Sequence, residues 1–329
     1  MANNIPLPKG YKLNEYTISK KLSTGGFSIV YLAYTSEQVP VAIKEYFPNS
    51  LHLRTKGTHI EFINMREKHR FLEGLKGFKD ETEIVMKLKH RNIIEIINFF
   101  EMNGTAYLVM PYEYGCTLSK FITTEKNASE QEILSLIEGI FSAVEMFHEN
   151  NIIHLDLKPG NIWLRPNKEA LILDFGTARI IDDPIKSQQP PMHTPGYAAP
   201  EQHREFFQPN RVGVWTDYYG LGATLYALIE KKSPPISSQL LMQNTSIELQ
   251  ESRLGQVTGQ TLEIIEELMQ TDWNKRKKID LKEIINRIKK IKTIKPTNLM
   301  TNYLDEMILQ SSKEFIKTEK YLNIVSKLN

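Results

Sequence analysis

Eight consecutive residues, His154-Leu155-Asp156-Leu157-Lys158-Pro159-Gly160-Asn161, and the triplet Asp174-Phe175-Gly176 thirteen positions further on, constrain this chain more than any other feature. They gather a carboxylate, an ammonium, an amide and a second carboxylate into one short stretch. A loose, metaphosphate-like transition state asks a protein for positioning and charge stabilisation rather than covalent participation, and this set supplies both. Asp156 would accept or orient the proton of an attacking hydroxyl, and Lys158 would reach the phosphoryl oxygens. Asn161 and Asp174 offer the hard oxygen ligands that Mg²⁺ takes alongside phosphate. Any one of these residues alone is ordinary surface; the combination is specific.

A second motif lies upstream. Val41-Ala42-Ile43-Lys44 sits in an apolar, β-rich stretch, and downstream come Ala199-Pro200-Glu201 and Asp272-Trp273-Asn274-Lys275-Arg276. In order and spacing these motifs resemble the eukaryotic-type (Hanks-type) Ser/Thr protein kinase family, over about Tyr16 to Ile291. The entry Lys44-Glu45-Tyr46-Phe47-Pro48 looks like its bacterial branch.

The resemblance implies an α+β, bilobal kinase fold with a small β-rich N-lobe and a larger helical C-lobe. The expected organisation is a leader at 1–15, a kinase domain at 16–293 (N-lobe 16–110, hinge 111–116, C-lobe 117–293) and a C-terminal tail at 294–329. It implies ATP and Mg²⁺ as cofactors and a protein Ser or Thr hydroxyl as acceptor, because tyrosine-specific relatives replace Lys158. Autophosphorylation is expected as well. Catalytic roles fall to Asp156, Lys158, Lys44 and the helix glutamate that pairs with Lys44. Counting back from His90 selects Glu81 for that partner, with Glu83 as the alternative. Nucleotide contacts are expected from Ser23, Gly25, Gly26, Val30, Ala42, Lys44, Met110, Tyr112, Glu113 and Trp163, and metal contacts from Asn161 and Asp174. Trp163 reads equally well as core, since both roles bury it. Asp217 would steady the backbone of the catalytic loop, and Arg276 would pair with Glu201 in a structural role.

Three positions depart from the family pattern. Ser23-Thr24-Gly25-Gly26-Phe27-Ser28 keeps the second of three expected glycines, so serine should stiffen or shift a loop whose N–H groups approach phosphate. Read alone, this stretch is also a plain β-turn. Pro111 has no N–H, so hinge hydrogen bonds must come from its carbonyl and the backbone around Tyr112 and Glu113. Leu155 stands where regulated relatives have the arginine that binds a phosphorylated activation-loop residue, and leucine cannot form that fork of donors.

Two other functions share parts of this pattern. A kinase-fold scaffold would lack one of Lys44, Asp156, Asn161 or Asp174, and all four are present. A small-molecule phosphotransferase shares base and metal ligands but not Ala199-Pro200-Glu201, the Asp217 helix and Arg276.

Composition, 41% apolar and 24% charged over 329 residues, is that of an ordinary globular chain. A net charge of +2 gives no reason to expect nucleic acid. No segment reaches the roughly 20 apolar residues of a membrane span, and the run Tyr218 to Ile229 reads as a buried helix. The single cysteine, Cys116, excludes internal disulfides and suits a reducing compartment, and with no signal-like start the expected location is cytoplasmic. Strands are expected at Tyr16–Leu22, Ile29–Tyr34, Val39–Tyr46 and Thr105–Met110, an insertion between Phe47 and Gly77, and a helix opened by a Ser129/Glu132 capping box. His52, His59 and His69 are too widely spaced for a metal site and read as surface or packing residues. The basic run after Lys275 carries isoleucines at helical spacing. It reads as an amphipathic helix on the larger lobe with a solvated basic face, the alternative being an acidic partner or membrane surface. The tail also shows helical spacing and would dock back on the kinase, self-associate or bind a regulator.

If phosphate is not read through residue 155, Ser187→Ala should retain the activity of a phosphorylated wild-type sample. Loss of that activity in a kinase assay would refute this reading.

Overall fold

The structure, a computed structural model, describes residues 5–48, 54, 58–62, 64–125, 128–181, 190, 193–248 and 257–293. Ser187, His52 and the tail 294–329 lie outside them. The chain divides into two compact units, one running to Lys89 and including Ile94–Glu113, the other made of His90–Ile93 and the chain from Tyr114 onward.

The first unit is built on an antiparallel six-stranded sheet in the order β1-β2-β3-β4-β6-β5. Its strands are β1 Lys12–Leu13, β2 Tyr16–Thr24, β3 Ser28–Tyr34, β4 Pro40–Tyr46, β5 Asn98–Met102 and β6 Thr105–Pro111. Side chains alternate between faces, so consecutive residues of β4 serve different layers. Val41, Ile43 and Phe47 enter one core with Tyr31, Tyr107 and Val109. Tyr46 enters the other with Phe71, Leu75 and Phe78 of helix α1, Met65–Met86. Leu7 and Leu13 are buried in the first of these cores, so residues of the expected leader help to close the sheet.

Helix α1 starts earlier than the sequence suggests. Asn64 caps it by accepting from the Glu67 N–H at 2.9 Å, and Phe71, Leu75, Phe78, Thr82 and Val85 form one buried stripe. Residues 65–77, expected in the insertion, are therefore helix. Gly74 and Gly77 hid this, because glycine disfavours a helix interior by about 1 kcal/mol. Gly74 has a packing reason: a Cβ there would lie 2.1 Å from the Tyr46 hydroxyl oxygen. His69 faces Glu73 at 3.3 Å on the exposed side of the same helix, and His59 is exposed.

In the second unit, helix α2 (Leu118–Thr124) follows the short strand β7 (Cys116–Thr117), and helix α3 (Glu130–Glu149) opens with the expected Ser129/Glu132 capping box. Strands β8 (Ile152–Ile153), β9 (Ile162–Leu164), β10 (Ala170–Ile172) and β11 (Arg179–Ile180) form two small sheets, β10-β9-β7 and β11-β8. Helix α4 (Val214–Glu230) is largely apolar and almost wholly buried, packed by α3, by α6 (Gly259–Leu268) and by α7 (Trp273–Arg276), with α5 (Ser237–Gln243) between α4 and α6 in sequence. Helix α8 (Leu281–Thr293) buries its isoleucines against α3 and α6. Its basic face is solvated, as expected, and part of it also meets acids: Arg287 pairs with Glu267 at 2.6 Å, Lys282 with Glu149 at 2.8 Å, and Lys292 with Glu138. Exposed pairs of this kind contribute about 0–1 kcal/mol each, so packing of the isoleucines holds the helix in place. Among the described residues no helix is long and apolar enough to cross a membrane.

Gly74→Ala should lower stability by about 1–3 kcal/mol through overpacking, despite alanine's better helix propensity. Tyr46→Phe removes the nearest atom, and a double-mutant cycle by denaturant unfolding should show that it recovers most of the loss.

Candidate active site

In the first unit Lys44 stands at the centre of the sheet, in register with Val30 of β3 and Leu108 of β6. Its ammonium lies 5.9 Å from the centroid of the Phe78 ring, which places it on the α1 side of β4. Ala42, on the same face, is in register with Met110, and both are buried. Tyr112 and Glu113, just past β6, are half-buried. Glu81 is half-buried on the flank of the α1 stripe, one turn beyond Phe78, whereas Glu83 is exposed. This favours Glu81 of the two candidates. Ser23 belongs to β2 opposite Val30, and Ser28 opens β3, so the turn itself holds Gly25, Gly26 and Phe27. The Gly25 N–H donates to the Ser28 carbonyl at 2.8 Å. A Cβ at Gly26 would meet nothing within 4 Å, so packing does not demand glycine there.

In the second unit the loop after β8 is held from below by Asp217 of α4. Its Oδ2 accepts from the His154 N–H at 2.8 Å and its Oδ1 from the Leu155 N–H at 2.7 Å. His148, from the last turn of α3, makes a 2.9 Å contact with the same Oδ2. Leu155 is buried and has a φ of 67°, a conformation that costs a non-glycine residue energy unless its surroundings impose it. The surroundings do so: besides the Asp217 contact, the Leu155 carbonyl accepts from Gln202 Nε2 at 2.7 Å. His154 is buried beside Phe175 and Phe147, its carbonyl accepts from Thr177 Oγ1 at 2.8 Å, and burial pushes its pKa down despite nearby carboxylates.

The reversal at Leu155 turns the next residues into one polar cluster. Asp156 Oδ2 accepts from Lys158 Nζ at 2.6 Å and from Asn161 Nδ2 at 2.8 Å. Asp156 Oδ1 accepts from the Thr194 hydroxyl at 2.8 Å, and the same hydroxyl oxygen accepts from Lys158 Nζ at 2.6 Å. Asn161 Nδ2 also donates to the Asp156 carbonyl at 2.9 Å, which fixes the orientation of its amide. The Leu173 N–H donates to the Asn161 carbonyl at 3.0 Å, tying the Asp174 segment to this loop, and Asp174 Oδ1 accepts from the Gly176 N–H at 3.1 Å. Trp163, half-buried in β9, donates its indole N–H to the Tyr114 carbonyl at 3.1 Å.

Glu201 and Arg276 form the expected ion pair, both buried. Thr216 Oγ1 donates to the Glu201 carboxylate at 2.9 Å and Arg276 Nε to the Trp215 carbonyl at 3.0 Å, so the pair ties Ala199-Pro200-Glu201 to α4 and α7. The sequence reading did not single out His148 and Gln202. Only their positions, one at a helix end and one directly after Glu201, could have drawn attention to them. A cavity of about 740 Å³ elsewhere in this unit, lined by Asn92, Ser129, Glu132, Ser142, Glu169 and Lys292 among others, includes none of Asp156, Lys158, Asn161 or Asp174. Its charges are already matched, Glu169 by Arg91 and Glu138 by Lys292.

A carboxylate, an ammonium and an amide on a loop held by a buried aspartate, with a second carboxylate just beyond β10, is the arrangement the resemblance to protein kinases implies. The family model described as "Protein kinase domain" matches residues 16–292, and the chain belongs to the protein kinase family. The myosin light chain kinase A of Dictyostelium discoideum is 30% identical over 272 residues, covering 79% of this chain and 83% of that protein. The probable serine/threonine-protein kinase zyg-1 of Caenorhabditis briggsae is 25% identical over 280 residues, 84% of this chain. The bacterial serine/threonine-protein kinase PrkC of Bacillus subtilis (strain 168) is 31% identical over 163 residues, 49% of this chain and 24% of that protein. Among solved structures, the PpkA-294 apo form matches with a TM-score of 0.74 and 29% identity, over 87% of this chain and 99% of that one. The chain spans about a third of the length of the first curated relatives it matches.

Asp217→Asn turns an acceptor of two buried N–H groups into one that meets at least one of them with a donor. It should cost about 2 kcal/mol in denaturant unfolding and lower the phosphoryl-transfer rate of the folded protein.

Proposed function

We propose that the chain transfers the γ-phosphoryl group of ATP to serine and threonine hydroxyls of proteins, itself included. The observation that carries this reading is the Thr194 hydroxyl, which donates to Asp156 Oδ1 while accepting from Lys158 Nζ. An acceptor alcohol needs the same two contacts, one to draw its proton away and one to balance charge on the phosphoryl oxygens.

In this reading Asp156 orients the acceptor hydroxyl and takes its proton, and Lys158 stabilises the transferring group. Lys44, paired with Glu81, binds the α- and β-phosphates. Ser23, Gly25 and Gly26 present backbone N–H groups to phosphate, and the open space beside Gly26 supports this, because packing gives no other reason for glycine. Val30, Ala42, Met110, Tyr112, Glu113 and Trp163 receive the adenosine. Asn161 and Asp174 fit a hard cation: the Asn161 amide nitrogen is committed to Asp156, which leaves its Oδ1 as the ligand atom, and Asp174 adds carboxylate oxygen. Mg²⁺ held there would neutralise charge on the phosphate oxygens.

The test is to incubate wild type and Asp156→Asn with Mg-ATP and a generic basic protein, then map phosphosites by mass spectrometry. Phosphoserine or phosphothreonine should form with wild type, with the rate reduced about 10²–10⁴-fold in the variant and chelation of Mg²⁺ abolishing it. Equal transfer by both proteins, or none by wild type despite measurable ATP binding, would sink the reading.

A further inference from the structure

Behind Lys44, on the opposite face of β4, a charged cluster is buried in the sheet core. Glu45 and Arg54 are both fully inaccessible and form a two-pronged ion pair, with Arg54 Nη1 3.2 Å from Glu45 Oε2 and Nη2 on Oε1. Two buried tyrosines complete the carboxylate's shell: Tyr31 of β3 donates to Oε2 at 2.7 Å, and Tyr107 of β6 donates to Oε1 at 2.7 Å. Burial, reinforced by Glu45, pushes both phenols far up, which keeps them neutral donors. The side chains of three adjacent strands and of one residue in the β4-to-α1 segment thus converge on one carboxylate. Arg54 and Tyr31 extend the junction to the N-terminal residues: the Ile5 N–H donates to the Arg54 carbonyl at 3.1 Å and the Leu7 N–H to the Tyr31 hydroxyl at 3.1 Å.

Stability alone does not account for such a cluster, because replacing a buried ion pair by apolar residues of similar volume is often neutral or stabilising. Register does. Side chains alternate along a strand, so a slip of one residue would bring Lys44 to the outer face and Glu45 to the α1 face. A carboxylate that must meet four donors from three sources permits one placement of β4.

We propose that Arg54 is a positioning residue for Lys44, acting through Glu45, so that a residue remote from the phosphates sets the affinity of the site for ATP. The inference rests on the reading of Lys44 as the phosphate-pairing residue.

The test uses the full chain, well below its unfolding temperature, and measures KM for Mg-ATP, kcat, KM for the acceptor protein, affinity for a fluorescent ATP analogue, and the thermal midpoint. Arg54→Met should raise KM for ATP about tenfold, with kcat and acceptor KM changed less than about twofold. Arg54→Lys should recover most of the loss. The charge-balanced pair Arg54→Met with Glu45→Gln should regain the thermal midpoint but not the ATP affinity. If Arg54→Met does not fold, Tyr107→Phe, which removes one donor of four, should still raise KM for ATP. A lowered midpoint with unchanged KM for ATP in every folded variant would overturn the proposal and leave Arg54 merely structural. Lys44→Met is the control: if it leaves ATP affinity unchanged, the reading of Lys44 falls and this inference with it, whereas a Lys44 effect without an Arg54 effect defeats the inference alone.

Discussion

Asp217 carries the reactive loop. Its carboxylate, buried on a largely apolar helix, accepts the N–H groups of His154 and Leu155 and so holds Leu155 at a positive φ. Without that reversal the next residues would continue in another direction, and Asp156, Lys158 and Asn161 would not converge. The energy behind the arrangement comes from burial: in a low-dielectric surround an N–H left without an acceptor costs about 1–3 kcal/mol, so the loop has one low-energy path. The ion pair of Glu201 and Arg276 extends the same logic to the segment that brings Thr194 to Asp156.

The first unit solves a related problem with a sheet. A strand at the middle of a sheet offers two faces, and β4 uses both: Tyr46 and Lys44 look toward α1, while Ile43, Glu45 and Phe47 look into a core closed by Leu7 and Leu13. Covering both faces turns a pliable element into a fixed one. The close approach of Tyr46 to Gly74 sets how near α1 can lie, and the buried Glu45 sets which side chain faces it.

Much of this was legible in the sequence because it is written in local patterns. The strands carry β-branched and aromatic runs, Ser129 and Glu132 spell a capping box, and the loop from His154 to Asn161 holds its chemistry in eight residues. Other parts were hidden because their causes are distant in the chain. The first three turns of α1 read as insertion, since Gly74 and Gly77 look like breakers until Tyr46 is seen against Gly74. Leu7 and Leu13 are isolated apolar residues in a polar leader, and only the sheet explains their burial. Arg54 is one more cation in a charged stretch, and no periodicity marks it as the partner of Glu45. The basic face of α8 is solvated as its pattern says, but the acids that pair with part of it sit on α3 and α6, far off in the chain.

The hydroxyl of Thr194 has a further consequence. With Asp156 and Lys158 both bonded to it, the site already contains an alcohol. On the proposed activity, an arriving serine or threonine exchanges one hydroxyl for another, with little net change in hydrogen bonding. A water molecule must displace the same side chain without the binding energy that a protein acceptor brings. On the proposed activity, the site is guarded against futile hydrolysis of its nucleotide by one of its own residues.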